Sequence, residues 1–363
     1  MTTAQLDEQR VMDVLKTVKD PELGRDLVSL NMIKDLRVVD AQTVALTVVL
    51  TTPACPLKNK IHDDIDAAFA TLPGAPKSAI KWDAQVSRTS GVPNKQQIEG
   101  VKNIVSVGAG KGGVGKSTSA VNLALALLNM GARVGVLDAD VYGPNVPILM
   151  GAEEARPVAQ NEKIVPIDRF GVKMISMAFF IEANKPAIWR GPMLAGAVRQ
   201  FLFDVAWGEL DYLVVDLPPG TGDVQLTMSQ SIPMTGAIVV STPQDVSTAD
   251  VGRAIQMFKT LKVPVLGLIE NMSYFLCPHC QERTEIFGYG GARALAERMQ
   301  IPFLGEIPLD ARIRVGGGPG VPLMVTAPDS DLAAVYRDVA SRLAAQVSIR
   351  NFNQATFIPL RTV

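Results

Sequence analysis

Cys277 and Cys280, in the stretch Tyr274-Phe-Leu-Cys-Pro-His-Cys-Gln-Glu-Arg283, are two of only three cysteines in a 363-residue chain. Two thiols at this spacing can grip half of a metal site, an iron–sulfur cluster or a zinc ion, or close on each other as a redox disulfide. A redox pair of the thioredoxin kind opens a helix whose N-terminus lowers one thiol pKa. Here the pair follows a strand and a loop, and residues 281–288 read as extended or looped, which disfavours that role. Cubane clusters and structural zinc alike usually take four ligands. Cys55 stands alone in another part of the chain, so one copy cannot complete a four-thiolate set. Two copies meeting on a two-fold axis can, which favours a homodimer with a bridging [4Fe–4S] cluster; zinc would use the same four ligands. His279 reads as exposed. Cys55, between prolines in Thr51-Thr-Pro-Ala-Cys-Pro-Leu57, is either a small buried residue or a reactive thiol near a helix start, and its strand-to-helix turn favours the second.

A second chemistry lies in Gly108-Ala-Gly-Lys-Gly-Gly-Val-Gly-Lys-Ser-Thr118, which contains the pattern G-x-x-x-x-G-K-S from Gly110 to Ser117. Gly108, Gly110, Gly112, Gly113 and Gly115 let the backbone curl through Val114 toward Thr118. Its N–H groups then point at phosphate oxygens, helped by the N-terminus of the next helix. Lys116 would reach the β- and γ-phosphates of ATP, and the Ser117 hydroxyl would ligate Mg²⁺. Asp138 and Asp140 close one apolar run and Asp216 closes another, positions from which carboxylates hold Mg²⁺ through its waters. In Leu217-Pro-Pro-Gly-Thr-Gly-Asp223, the Gly220 N–H could sense a γ-phosphate and order the segment.

These residues need elements to place them. Apolar runs suited to buried parallel strands fall at 103–107, 134–137, 212–215, 237–240, 265–269 and 303–307. Helical spacing falls at 117–130, 194–205, 247–261, 290–299 and 332–346, and 158–177 reads as an inserted hairpin. Alternating β and α predicts a doubly wound, mostly parallel-sheet P-loop NTPase domain over 101–346, with ligands at the carboxyl ends of its strands. A small α/β domain precedes it over 1–88: a helix ending before Asp20, two strands within 36–50, a helix at 58–72 and a strand at 78–86. Residues 89–100 read as a polar linker, and 347–363 as a tail without pattern.

The extra lysine, Lys111, makes the loop resemble the deviant Walker A ATPases, the class of septum-site, plasmid-partition and arsenite-pump ATPases and the nitrogenase iron protein. The class resemblance implies that Lys111 touches phosphate, commonly across a dimer interface. It also implies that Asp140 positions the attacking water, and that Asn271 reads adenine with its amide. Further blocks narrow it: Asp138-Ala-Asp-Val-Tyr-Gly-Pro-Asn-Val-Pro147, Trp189-Arg-Gly-Pro-Met193, Asp211-Tyr-Leu-Val-Val-Asp216 and Glu270-Asn-Met-Ser273. With the Cys-x-x-Cys pair, they resemble the Mrp/ApbC family of iron–sulfur cluster carrier ATPases from about 101 to 345. The first domain, with Asp20-Pro-Glu22 and the Cys55 stretch, is similar to the iron–sulfur assembly domain often fused to such proteins. The resemblance implies ATP hydrolysis, a [4Fe–4S] cluster held by Cys277 and Cys280, upstream cluster assembly proteins as donors and apo iron–sulfur proteins as recipients.

Composition bounds the rest. Lys plus Arg number 35 against 36 Asp plus Glu, so no whole-protein field recruits nucleic acid or an acidic membrane. With 47% hydrophobic and 20% charged residues, the chain is that of a globular α/β protein. An odd, small cysteine count and a start without a basic or apolar leader predict a cytoplasmic protein. A partition or positioning ATPase with structural zinc is the alternative. It calls for a basic amphipathic helix, and 332–346 sets only Arg337 and Arg342 against Asp338. Electron transfer of the nitrogenase type calls for a cysteine near the switch segment, and 217–223 has none.

Overall fold

The computed structural model describes residues 6–90, 95–141, 143–180, 191–220, 222–313 and 320–356. Trp189 and Arg190 of the Trp-Arg-Gly-Pro-Met block, Tyr142, Thr221 and the last residues of the tail lie outside them. The chain divides into two compact units, residues 1–87 with 348–363, and residues 88–347.

The smaller unit is α1 (Glu8–Leu15), β1 (Ile33–Asp40), β2 (Thr43–Leu50), α2 (Lys58–Phe69) and β3 (Lys77–Ala84). Asp7 caps α1 by accepting from the Arg10 N–H at 2.9 Å. The β1–β2 hairpin is antiparallel, and β3 returns parallel to β2 after crossing over through α2. Val11, Leu15, Ile61, Ile65 and Phe69 from the two helices are buried with Val44, Leu46 and Val48 of the central strand. The helical period and the strand period thus meet in one core.

The larger unit is built on an eight-stranded sheet. In chain order it comprises β4 (Val101–Ala109), α3 (Lys116–Asn129), β5 (Val134–Asp138), α4 (Val146–Leu149), the short hairpin β6 (Ala159–Gln160) and β7 (Lys163–Ile164), β8 (Ile167–Arg169) and β9 (Val172–Ser176). Then follow α5 (Gly191–Phe203), β10 (Leu210–Asp216), α6 (Asp223–Ser231), β11 (Gly236–Ser241), α7 (Asp245–Thr260) and β12 (Val265–Asn271). The hairpin β13 (Phe275–Leu276) and β14 (Arg283–Thr284), α8 (Gly291–Met299), β15 (Phe303–Ile307) and the long α9 (Asp331–Thr356) complete it. The sheet order is β15-β12-β11-β4-β10-β5-β9-β8, and only the edge strand β8 runs antiparallel. Strands β5, β10 and β11 are buried along their whole length, as the unbroken apolar runs require in a sheet covered on both faces.

Three expectations change. The region 158–177 is not only an inserted hairpin: Val172–Ser176 joins the main sheet parallel to β5. Residues 89–100, read as a linker, contribute Thr89 and Ile98 to the interior of the larger unit, where the Thr89 hydroxyl donates to Asn103 at 3.0 Å. The final helix continues to Thr356, past the end of the apolar periodicity at 346. Its last turns belong to the smaller unit, where Phe352 lies under the Arg25 guanidinium at 5.7 Å. A partner from residue 25 cannot be read from local periodicity.

Candidate functional site

The central strand β4 delivers the glycine loop to the carboxyl edge of the sheet. Its neighbour β10 pairs in register so that Asp216 lies beside Val107 on one side and Asp138 on the other. Three strand ends therefore bring the loop, Asp138 and Asp216 together from positions up to about a hundred residues apart. Gly115, at φ 82°, turns the chain into α3 through the left-handed region. A Cβ there would also lie 2.2 Å from the Asn271 side-chain nitrogen, so that turn admits only glycine. Gly110 is needed for a different reason: a Cβ would run into the backbone of Asp250 on α7.

Lys116 is nearly buried and points back over the loop. Its ammonium donates to Asp216 Oδ1 at 2.7 Å and lies 3.4 Å from Asp140 Oδ2 and 3.3 Å from the Ser117 hydroxyl. Burial pushes the Asp216 carboxyl up, and the Lys116 charge opposes that rise. Asp138, fully buried, is raised to about 8 by burial and then by the neighbouring Asp216. It accepts from the Asp140 and Val146 N–H groups and the Ser176 hydroxyl, and so holds the turn that carries Asp140. Oδ2 of Asp216 is buried with no hydrogen-bond partner. An orphaned Asp216 oxygen on the carboxylate that faces the Ser117 region, with Asp216 and Asp140 sharing one lysine, offers oxygen donors of the kind a hard divalent cation takes.

A cavity of about 580 Å³ opens over this constellation, lined among others by Lys111, Lys116, Ser117, Thr118, Asp140 and Met272. Its size suits a nucleotide. Lys111 Nζ donates to Gln244 Oε1 at 3.4 Å at the cavity rim. The Gly220 N–H donates to the Ala109 carbonyl at 3.1 Å. The Asn271 amide nitrogen donates to the Val114 carbonyl at 2.8 Å, so it grips the glycine loop.

Cys277 and Cys280 sit at the tip of the β13–β14 hairpin, where Leu276 pairs with Arg283. The Gln281 N–H closes the turn on the Cys277 carbonyl at 2.9 Å, and the Cys277 N–H donates to Glu282 at 3.0 Å. Backbone N–H groups of Cys280 and His279, together with the Cys280 thiol, pull the Cys277 pKa down. The thiolate is thus favoured without a helix terminus. Both cysteines are free, and Cys280 and His279 are exposed. Leu276, Ile286 and Tyr289 around them are also exposed. Among the described residues no group of three or more His, Cys, Asp or Glu side chains could hold a metal ion.

Residues 100–344 match the family model described as the NUBPL iron-transfer P-loop NTPase. The chain belongs to that family. Residues 8–82 match the iron–sulfur cluster assembly protein model. The chain is 48% identical over 349 residues to the iron–sulfur cluster carrier protein of Synechocystis, covering 95% of this chain and 99% of that one. It is 50% identical over 345 residues to the protein of the same name from Deinococcus radiodurans, at 95% and 97% coverage. A nucleotide-binding protein of Archaeoglobus fulgidus, solved in complex with ADP, is 41% identical, with a TM-score of 0.57 over 66% of this chain and 94% of its own.

In this iron-transfer NTPase the fold brings Lys116, Ser117, Asp138, Asp140 and Asp216 into one largely buried cluster of the larger unit, and Cys55 belongs to the smaller unit. Cys55 is half-buried, and burial pushes its thiol up to about 11, with Glu22 and Asp20 adding to the rise. The helix start that was expected to activate it begins only at Lys58. Sequence reasoning missed Gln244, Met272 and Glu270. The signal for Glu270 was present: a charged residue ending an otherwise apolar strand must be answered by buried donors.

Proposed function

We propose that this chain binds ATP with Mg²⁺, hydrolyses it, and carries a [4Fe–4S] cluster between two copies for delivery to apo iron–sulfur proteins. Upstream cluster assembly proteins would load it in the cytoplasm. The observation that carries the reading is a two-thiol hairpin tip, with Cys280 exposed and Cys277 partly so, on the same unit as a lysine-bearing phosphate loop, where the described residues of one chain add no third His, Cys, Asp or Glu ligand.

The residues divide the work by their chemistry. Lys116 now neutralises Asp216 and Asp140; phosphate oxygens would take over its charge, since an ammonium of this kind binds them as a point charge. Ser117 and Asp216 would hold Mg²⁺, which supplies charge neutralisation at the β- and γ-phosphates. Asp140, freed from Lys116, is placed at the cavity to accept a proton from, and orient, the attacking water. Lys111, which lines the cavity, would reach the phosphates of a facing copy. Cys277 and Cys280 supply two thiolates, and their counterparts in the second copy supply the others. Exposure of the hairpin allows a recipient's thiols to reach the cargo.

Anaerobic reconstitution with iron and sulfide, followed by iron, sulfide and zinc counts per dimer and a Mössbauer spectrum, tests the cluster. About four irons per dimer are expected; zinc alone, or a metal-loaded monomer, overturns the reading. Lys116→Ala should weaken ATP binding about 10- to 100-fold, the range for one lost charged hydrogen bond, with cluster loading retained.

A further inference from the structure

Glu270 and Asn271 end β12 side by side, and alternation along a strand sends their side chains to opposite faces of the sheet. Asn271 goes to the nucleotide side, where it holds the Val114 carbonyl of the glycine loop. Glu270 goes to the other side and is completely buried. One carboxylate oxygen accepts from the Ser273 hydroxyl at 2.7 Å and the Gly290 N–H at 2.9 Å. The other accepts from the Ala292 N–H at 2.7 Å. Gly290 and Ala292 open α8, so the helix dipole favours the anion there. A buried carboxylate persists only where such charge-assisted bonds replace its hydration.

These contacts have a topological consequence. The chain leaves the sheet after Asn271 and enters α8 at Gly290, and the stretch between, including Cys277 and Cys280, is the loop that Glu270 clasps at its base. The loop leaves with little slack. Met272 takes a left-handed turn at φ 55° and lines the nucleotide cavity. The Ser273 N–H then donates to the Ile307 carbonyl at 3.0 Å, and the Leu309 N–H to the Tyr274 carbonyl at 2.7 Å, which ties the loop to the end of β15 until three residues before Cys277. On the return arm, Arg283 is sandwiched between the Tyr274 and Tyr289 rings at 4.1 and 4.5 Å. Tyr289 and Arg293 both donate to Glu306, which faces Glu270 in register on β15. A shift of the glycine loop is felt by Asn271, moves the end of β12, and is passed on by Glu270 because both arms of the cysteine loop are fastened there.

We propose that Glu270 is a positioning residue that couples the nucleotide state of the phosphate loop, through Asn271, to the setting of the cysteine hairpin. The proposal rests on the nucleotide and cysteine roles given above, and its test needs no cluster. The full-length, cluster-free chain is alkylated with iodoacetamide, with and without Mg²⁺ and a non-hydrolysable ATP analogue, and the rates at Cys277 and Cys280 are read by peptide mass spectrometry. Nucleotide affinity is measured on the same samples. In the unsubstituted chain the nucleotide should change these rates by about fivefold or more, the lower range of site-to-site coupling. In Glu270→Gln, which sets an amide N–H against donors, the ratio should collapse to about one while nucleotide affinity is retained. Ser273→Ala, which removes a single donor, should diminish the ratio and serves if Glu270→Gln does not fold. A role confined to folding would shift the rates with and without nucleotide alike, and that outcome overturns the proposal. So does an unchanged ratio in either folded variant, or nucleotide-independent rates in the unsubstituted chain that nevertheless binds nucleotide. Failure to bind nucleotide at all would instead remove the reading on which the coupling stands.

Discussion

Cys55 and Cys277 begin from the same local grammar: each follows a strand and is followed directly by proline. Their surroundings then drive the two thiols in opposite directions. Cys55 is half-buried beside Glu22 and Asp20, and removal from water with two carboxylates nearby disfavours a thiolate, raising it to about 11. Cys277, partly exposed at a hairpin tip, has two backbone N–H groups and a neighbouring thiol that stabilise the anion and lower its pKa. The difference teaches that a Cys-Pro step carries no reactivity of its own. Donors aimed at sulfur favour the thiolate, and burial beside acids favours the thiol.

The largest test of that contrast is complete loss against no loss. Cys277→Ala and Cys280→Ala should each reduce cluster iron after reconstitution to background while ATP binding persists, and Cys55→Ala should load as the unsubstituted chain does. Iron counts and visible absorbance read the result; equal loss in all three variants would break the comparison.

A smaller but graded effect is expected in alkylation at neutral pH. Thiolate fraction favours Cys277 over Cys55 by about a hundredfold or more, partly offset because a more basic thiolate is the stronger nucleophile, so a rate ratio of about tenfold remains. Equal rates would place Cys55 among the reactive thiols after all.

The smallest effect concerns Glu22. Burial, then the Asp20 charge, raises its carboxyl to about 7 from an ordinary value of 4.5. The folded chain therefore binds more protons than the unfolded chain between those values. Stability falls as pH rises through that window, and the full cost is reached above it. Glu22→Gln should flatten this dependence and, by removing one nearby charge, speed Cys55 alkylation several-fold. Thermal midpoints at about pH 5 and about pH 8 check the first effect; an unchanged slope would show that Glu22 is ionised without penalty in the folded chain.

Much of the nucleotide side was legible because its chemistry is contiguous. Gly110 to Ser117 form one strand-to-helix turn, and the aspartates that join them end apolar runs that can only be buried strands. Less legible was which partner each group holds without nucleotide. The Asn271 amide and the Gly220 N–H are satisfied by carbonyls of Val114 and Ala109, contacts that depend on how strands β4 and β12 and the segment after β10 are set at the sheet edge. Strand β9, one in from the sheet edge, was missed because five residues with a lysine among them make a weak pattern. The last helix was cut short because its final turns carry polar residues on a periodicity that no longer follows one core.

By itself the sequence determined the doubly wound class, the phosphate loop, the acidic strand ends and a pair of thiols two residues apart. Each is a short pattern whose residues act through neighbours in the chain. Tertiary structure alone decided that Lys116 lies between Asp216 and Asp140, that Cys55 is muffled where Cys277 is readied, and that Glu270 clasps the cysteine loop against the strand whose next residue holds the phosphate loop. Those outcomes follow from burial and from donors brought across many residues of chain, and a side chain's charge state and partners are set by what surrounds it in space.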